Sequence, residues 1–409
     1  MQTVQNSAYE GSVFYLTYCI ARILNKVYGA KCDETRPVCL NCSTTDRDCL
    51  YPDRFIRFGD ARSGRADSDA VERSTSRSSP ERNEISFPPL SPNQIGEDTI
   101  NMAHLELFNH LVNGDWEGFG ISRATFVPIA IRNADTAPYL MYEMLALSAQ
   151  HLSLVSPARE EYYKNQAMRL QNRSITLFNA TIAREKVTPD NCIHFFLFSS
   201  ALGTHHFCNV VRNSEGDFGT FITSLVDSLN LYQGLRAVVG SEWHIVSDSE
   251  LKPVLQAGKE ALMSFLEDGN YQPKEIESKR LMQLLEDPLD QLDSTAVEAN
   301  QHAINVFDCL LHYHRRNQRN ENSLRGLFGW PALVKKEFKD QLIRLSPKTL
   351  IILAHYAVLL YYQRQLWLLS DGGGLLIRSI YQNIDSYWLG WLQWPNREIS
   401  SDIEMTNDK

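Results

Sequence analysis

Four of the chain's eight cysteines fall between Lys31 and Tyr51, and they constrain that stretch more than any other feature of the sequence. Cys32 and Cys39 enclose six residues, Cys39 and Cys42 two, and Cys42 and Cys49 six. A two-residue gap lets neighbouring thiolates grip one ion, and six-residue loops return the outer pair to complete a tetrahedral sulfur site. The segment has few large apolar side chains, so metal binding has to supply most of its folding free energy. Four soft thiolates favour zinc over magnesium or calcium and leave no open position for water or substrate, which makes the expected metal structural. The expectation is one zinc on Cys32, Cys39, Cys42 and Cys49.

A disulfide framework is the competing use of four cysteines, and it requires a secreted chain. No Lys or Arg precedes Val13, and the apolar run that follows reaches only to Arg22, so no signal peptide is expected. Of the other four, Cys192, Cys208 and Cys309 sit in apolar helical contexts and read as buried thiols, and Cys19 stands upstream of the quartet.

With 43% hydrophobic residues over 409 positions the chain can bury a large core, and no uninterrupted apolar run is long enough for a membrane span. The net charge of -9 means that any nucleic-acid contact has to be local. Residues 53–98 mix charges with serine and have little to bury, so they read as a disordered linker. No heptad repeat marks it as a coiled coil.

From Thr99 the pattern becomes helical. Met102, Leu105, Phe108 and Leu111 suggest a first amphipathic helix, with those residues inward, ending near Asn113. Further helices are expected from Pro138, from Arg159, after Thr188-Pro189, and over Phe218–Leu235, Lys252–Leu266, Ser294–Arg316 and Pro331–Leu345. The segment from Cys192 to Leu202 is apolar nearly all round and reads as a central helix, and Leu350–Leu360 as a second buried one. Gly372-Gly373-Gly374 reads as an inter-helix loop, followed by a last helix over Leu375–Leu392, before Pro395. The fold class is therefore all-α, with a small metal-stapled module, a linker and a domain of roughly ten helices.

Candidates for catalysis are weak. His205-His206 and Cys309-x-x-His312-x-His314 group metal-capable side chains, yet neither has a carboxylate at metalloenzyme spacing, and no nucleophile elbow or phosphate loop is present. The triple glycine lacks a following Lys-Ser/Thr. An enzyme is not expected. An aromatic helical interior is either filled or encloses a small apolar ligand, and periodicity does not distinguish the two.

The cysteine stretch resembles the second half of the fungal binuclear zinc-cluster motif: Lys31, Cys32, Asp33, Pro37, Cys39, Cys42, Cys49 and Tyr51 stand in the family's positions. The family's first two cysteines, ten and seven residues before the third, fall here on Arg22 and Asn25, and Cys19 is three residues too early. Its basic cluster is reduced to Lys26 and Lys31, and residues 1–60 hold seven Lys/Arg against seven Asp/Glu. A match that is good from Lys31 onward and absent before it marks a junction, so residues 1–30 read as a gene-model or splice artefact in preference to a genuinely degenerate cluster.

Residues 99–397 are similar to the fungal-specific transcription factor domain of the group around the yeast sterol uptake control proteins. The likeness rests on Leu105-Glu-Leu-Phe-Asn-His, on Ala137-Pro-Tyr-Leu-Met-Tyr-Glu-Met-Leu, on Thr188-Pro-Asp-Asn-Cys, on His355-Tyr-Ala-Val-Leu-Leu and on Trp391-Leu-Gln-Trp-Pro. These resemblances imply a nuclear transcription regulator, shuttling from the cytoplasm in the sterol-responsive cases. It would read G/C-rich half-sites in DNA with Lys31 beside the cluster, engage the transcription machinery, and act as a homodimer. They also imply one or two zinc ions, one for this sequence as written, and therefore weak DNA binding. The alternative is a helical ligand-binding or regulatory protein without DNA contact, responsive to a sterol. The organisation expected is 1–30 atypical, 31–52 zinc module, 53–98 linker, 99–397 helical domain and 398–409 tail.

Overall fold

The computed structural model describes residues 101–114, 123–212, 217–239, 243–252, 271–317 and 326–406, with isolated positions between 255 and 262. Lys31, Cys32, Cys39, Cys42, Cys49 and the linker reading lie outside the described residues.

The described elements are helical, as the sequence predicts. They are α1 (Met102–Asn113), α2 (Arg123–Arg132), α3 (Pro138–Val155), α4 (Glu160–Ile182), α5 (Cys192–Arg212), α6 (Phe218–Val239), α7 (Trp243–Asp248) and α8 (Ile276–Leu285). After these come α9 (Ser294–Arg316), α10 (Gly329–Leu333), α11 (Lys336–Ile343), α12 (Pro347–Tyr362), α13 (Gly372–Asn383) and α14 (Gln393–Thr406). Tight 3-10 turns occupy Pro157–Arg159 and Ser386–Leu392.

Local chemistry accounts for several boundaries. Proline at the first position, where no amide is needed, opens α3 and α12. The Asp293 carboxylate accepts from the Ala296 amide at 2.8 Å to cap α9, whose last turn carries His314, Arg315 and Arg316 against the negative end of the helix. Between α11 and α12 the chain turns through Leu345 at φ 57°.

The core is organised around α12, which is buried from Lys348 to Tyr361 and packs against α13, α9, α14, α11 and α8. A helix that is apolar on every side has no face to offer water, so other helices have to enclose it. The same holds for α5, which begins at Cys192 after a turn at Thr188-Pro189 and packs on α6, α3, α13 and α7. Helices α1, α3 and α4 build a separate small cluster from Leu107, Leu145, Ala146, Ala149, Tyr163, Ala167 and Leu170. No single helix among the described residues is long and apolar enough to cross a membrane.

Four readings of the sequence change. In α1 the inward residues are Leu107 and Leu111, while Met102 and Leu105 are 71% and 47% exposed. A three-residue step falls about 60° short of a full turn each time, so a stripe read that way drifts around the helix. The Ser148 hydroxyl donates to the Leu107 carbonyl at 2.7 Å, which places that side of α1 on α3.

The triple glycine is the start of α13, not a loop. A Cβ on Gly373 would stand inside contact distance of the Tyr361 backbone nitrogen, 2.5 Å from the Ala357 carbonyl oxygen and 2.8 Å from the Tyr361 Cα. Glycine is present because two helix backbones touch. Pro395, read as a stop, lies in the first turn of α14, where it costs no hydrogen bond. Residues 331–345 form two helices rather than one, and α2, α7 and α8 were not read at all.

Candidate functional site

Among the described residues no group of three His, Cys, Asp or Glu side chains is arranged to hold a metal ion. The three described cysteines are free and buried. Burial pushes the Cys208 thiol well up, away from the thiolate that zinc requires. The zinc ligands expected from the sequence, Cys32, Cys39, Cys42 and Cys49, lie outside the described residues.

Two of the histidines noted in the sequence, His205 and His312, have carboxylate partners from elsewhere in the chain. Glu143 of α3 is fully buried. Its Oε1 lies 2.9 Å from His205 Nδ1 and accepts from Gln171 Nε2 at 3.4 Å, while Ser174 Oγ donates to Oε2 at 2.9 Å. Gln171 Nε2 also lies 2.8 Å from His205 Nδ1. One polar knot therefore joins α3, α4 and α5 inside an apolar interior, where a charge with several partners is tolerated and one without them is costly.

A second network ties α8 to α9. The His312 Nδ1 lies 2.6 Å from Glu275 Oε1, Arg315 also donates to Glu275, and the Arg315 guanidinium grips Glu277 through two bonds of 2.9 and 2.8 Å. Burial raises the Glu275 and Glu277 carboxyls, but hydrogen bonds from His312 and Arg315 to the first, and from Arg315 to the second, outweigh it and hold both below the usual range. Asp308 of α9 accepts from the Tyr271 hydroxyl at 2.6 Å and from the amides of Lys274 and Glu275 at 2.9 Å each, fixing the approach to α8. At the other end of α8 the Lys348 ammonium donates to the carbonyls of Leu285 and Asp287 at 3.1 and 2.7 Å, occupying acceptors that the helix end leaves open.

Both carboxyls are depressed in the fold, so the stability they contribute is present above their unfolded values and is lost as pH falls through the folded ones. His355 acts in the same direction. Burial lowers it to about 4, and its Nδ1 lies 2.8 Å from the Ile351 carbonyl, so the folded chain keeps the ring neutral while the unfolded chain protonates below about 6.5. Arg315→Met is expected to cost about 2–3 kcal/mol at neutral pH, because Glu275 and Glu277 would keep their burial without their cation. Urea unfolding at pH 7 and pH 4 checks this: the gap between variant and wild type narrows at pH 4, and an equal gap at both would contradict it.

Glu143, Glu275 and Glu277 were missed in the sequence because their partners lie dozens of residues away. Glu143 left one trace, as a lone carboxylate inside the apolar run from Leu140 to Leu147. These networks are closed on themselves and bind helix to helix; they assemble no nucleophile with a base.

No family model matches the chain. Over 281 residues it is 22% identical to a Zn(2)-C6 fungal-type transcription factor of Gibberella zeae, a match taking 66% of this chain and 55% of that protein. A match so long exceeds the 98 residues before Thr99 and has to run well into the helical part.

The chain is a distant relative of this Zn(2)-C6 fungal-type transcription factor. This zinc-cluster relative spans about half the length of the curated protein it matches. The resemblance read from Lys31 to Tyr51 and the similarity over the longer span agree in kind.

Proposed function

We propose that the chain is a fungal zinc-cluster transcription regulator in which a module at residues 31–52 is joined through a linker, 53–98, to a helical regulatory domain, 99–397. The observation that carries this reading is the similarity to a Zn(2)-C6 transcription factor over a span that takes in the helical part, in a chain that keeps the cysteine spacing of the family. Cys32, Cys39, Cys42 and Cys49 hold one zinc, which supplies the folding energy of a rigid knob and no catalysis. Lys31 lies against DNA phosphate beside it.

Arg22 and Asn25 occupy the positions of the first two family cysteines, so the second zinc lacks ligands, and residues 1–60 have as many acidic as basic side chains. DNA binding at G/C-rich half-sites is accordingly weak in this chain. Residues 1–30 are an artefact of exon choice in this reading. The protein acts in the nucleus, shuttling from the cytoplasm, with the transcription machinery and a second copy of itself as partners, and it is not an enzyme. The same Arg22 and Asn25 favour one further reading, a helical regulator without DNA contact that takes a small apolar ligand such as a sterol.

Metal analysis tests the module. One zinc per chain is expected, falling to none in Cys39→Ser/Cys42→Ser; a wild-type chain that never carries zinc removes the reading. A thermal-shift screen with sterols separates the ligand-binding alternative.

A further inference from the structure

The outward face of α4 carries Arg169 and Arg173 one turn apart, and Arg184 and Lys186 follow just beyond the helix end; all four are exposed. No hydrogen bond or ion pair engages any of these four cationic groups among the described residues. Elsewhere on the domain many exposed cations are matched, Arg132 with Glu250, Arg159 with Glu106, Lys164 with Glu160, Lys252 with Asp248, Lys335 with Glu298 and Arg378 with Asp371, while Lys259, Lys279, Arg316 and Arg344 are exposed without an ion pair but stand singly on separate stretches. From Tyr162 to Arg184 the sequence contains no carboxylate. At the flanks, Glu160 is held by Lys164, Glu161 accepts from Asn165 at 3.1 Å, and exposed Glu185 offsets one of the four cations.

We propose that this face of α4 is a phosphate-backbone contact for duplex DNA, made by the helical domain in addition to the zinc module. A protein with a net charge of -9 repels a polyanion over most of its surface, so a contact has to be made where cations are collected and left unpaired. Guanidinium groups are suited to phosphate oxygens because their planar fork donates two parallel bonds. Arg169 and Arg173 rise about 6 Å apart on one side of the helix. Backbone contacts of this composition position a protein on DNA without reading sequence.

An acidic protein segment is the rival occupant, and the face lacks what such an interface needs. From Asn165 to Arg184 no large apolar side chain is exposed, and the exposed Tyr162, two turns before Arg169, already has the Arg159 guanidinium over its ring at 4.7 Å, whereas protein partners are held by buried apolar or aromatic anchors. The proposal rests on the regulator reading for its tether. In that reading residues 53–98 tether the domain to the module, and a tether raises the local concentration of the domain near DNA held by the module.

The full chain is titrated with labelled mixed-sequence duplex by fluorescence anisotropy at about 50 and 200 mM salt. Arg169→Glu/Arg173→Glu is expected to weaken binding about tenfold or more at the lower salt and to reduce the salt slope by about 2, with Arg169→Gln/Arg173→Gln giving a smaller loss in the same direction. Circular dichroism melting reports whether the variants stay folded, which is expected because both side chains project into solvent. Unchanged affinity and slope in the folded variants overturn the proposal, as does stronger competition by a polyglutamate peptide than by unlabelled duplex. Zinc content and Cys39→Ser/Cys42→Ser, measured alongside, keep the two readings separate. A zinc-free chain that still loses DNA when the arginines are replaced supports the α4 contact and removes the module; zinc present with the arginine variants silent removes the α4 contact alone.

Discussion

Gly373→Ala is expected to destabilise the helical domain by about 3–5 kcal/mol, enough to leave much of the protein unfolded at physiological temperature. The added methyl would meet backbone atoms of α12, the Tyr361 nitrogen and Cα and the Ala357 carbonyl, not the yielding end of a side chain. Neither helix can move aside easily, since α12 is enclosed by α8, α9, α11 and α14 as well as by α13. Gly390→Ala is the matched control, because a Cβ there meets nothing within 4 Å. Chemical denaturation of the two variants should separate them by several kcal/mol. Equal midpoints would mean that α12 and α13 do not approach at Gly373.

Glu143→Ala should cost a comparable amount, about 3–5 kcal/mol, through a different route. Truncation removes the carboxylate from His205, Gln171 and Ser174 in a place where water cannot replace it. Because the partners act as a unit, the His205→Ala cost should fall when Glu143 is already gone, with a coupling of about 1 kcal/mol or more in the double-mutant cycle. Additive costs would mean that the two side chains do not share a network. Glu143→Gln, which keeps the shape and one acceptor oxygen, should be milder.

These two positions show how unevenly the chain can be read in advance. The run Leu350–Leu360 announced a buried helix because no arrangement leaves so many consecutive apolar side chains dry except enclosure by other helices. Cys192–Leu202 did the same for α5, and Pro138 and Pro347 announced helix starts, because proline restricts its own residue whatever surrounds it. Gly373 was legible as a breaker but not as a contact. Its meaning lies in Ala357 and Tyr361, which the chain brings to it only after two helices have packed.

The cysteine quartet remains the part of the proposed function most open to sequence reading, since a metal site on one short stretch is written as spacing along the chain. His205 and His312 were visible as candidates, but their carboxylates were not, because Glu143 is 62 residues from the one and Glu275 is 37 from the other. Nor did the sequence show which basic residues lack partners on other helices. Lys164 has Glu160 one turn before it on the same helix, a pairing the sequence carries, but that Arg169 finds no partner from another element among the described residues is decided by the fold.

By itself the sequence determined the helical class, the two enclosed helices and the cysteine spacing, all set by periodicity, backbone restriction or donor chemistry within a few residues. Only the tertiary structure decided which face of α1 turns inward, why Gly373 must be glycine, and where each buried charge finds its counterpart. Those outcomes depend on distances between segments far apart in the chain, and short-range preferences carry no term for them.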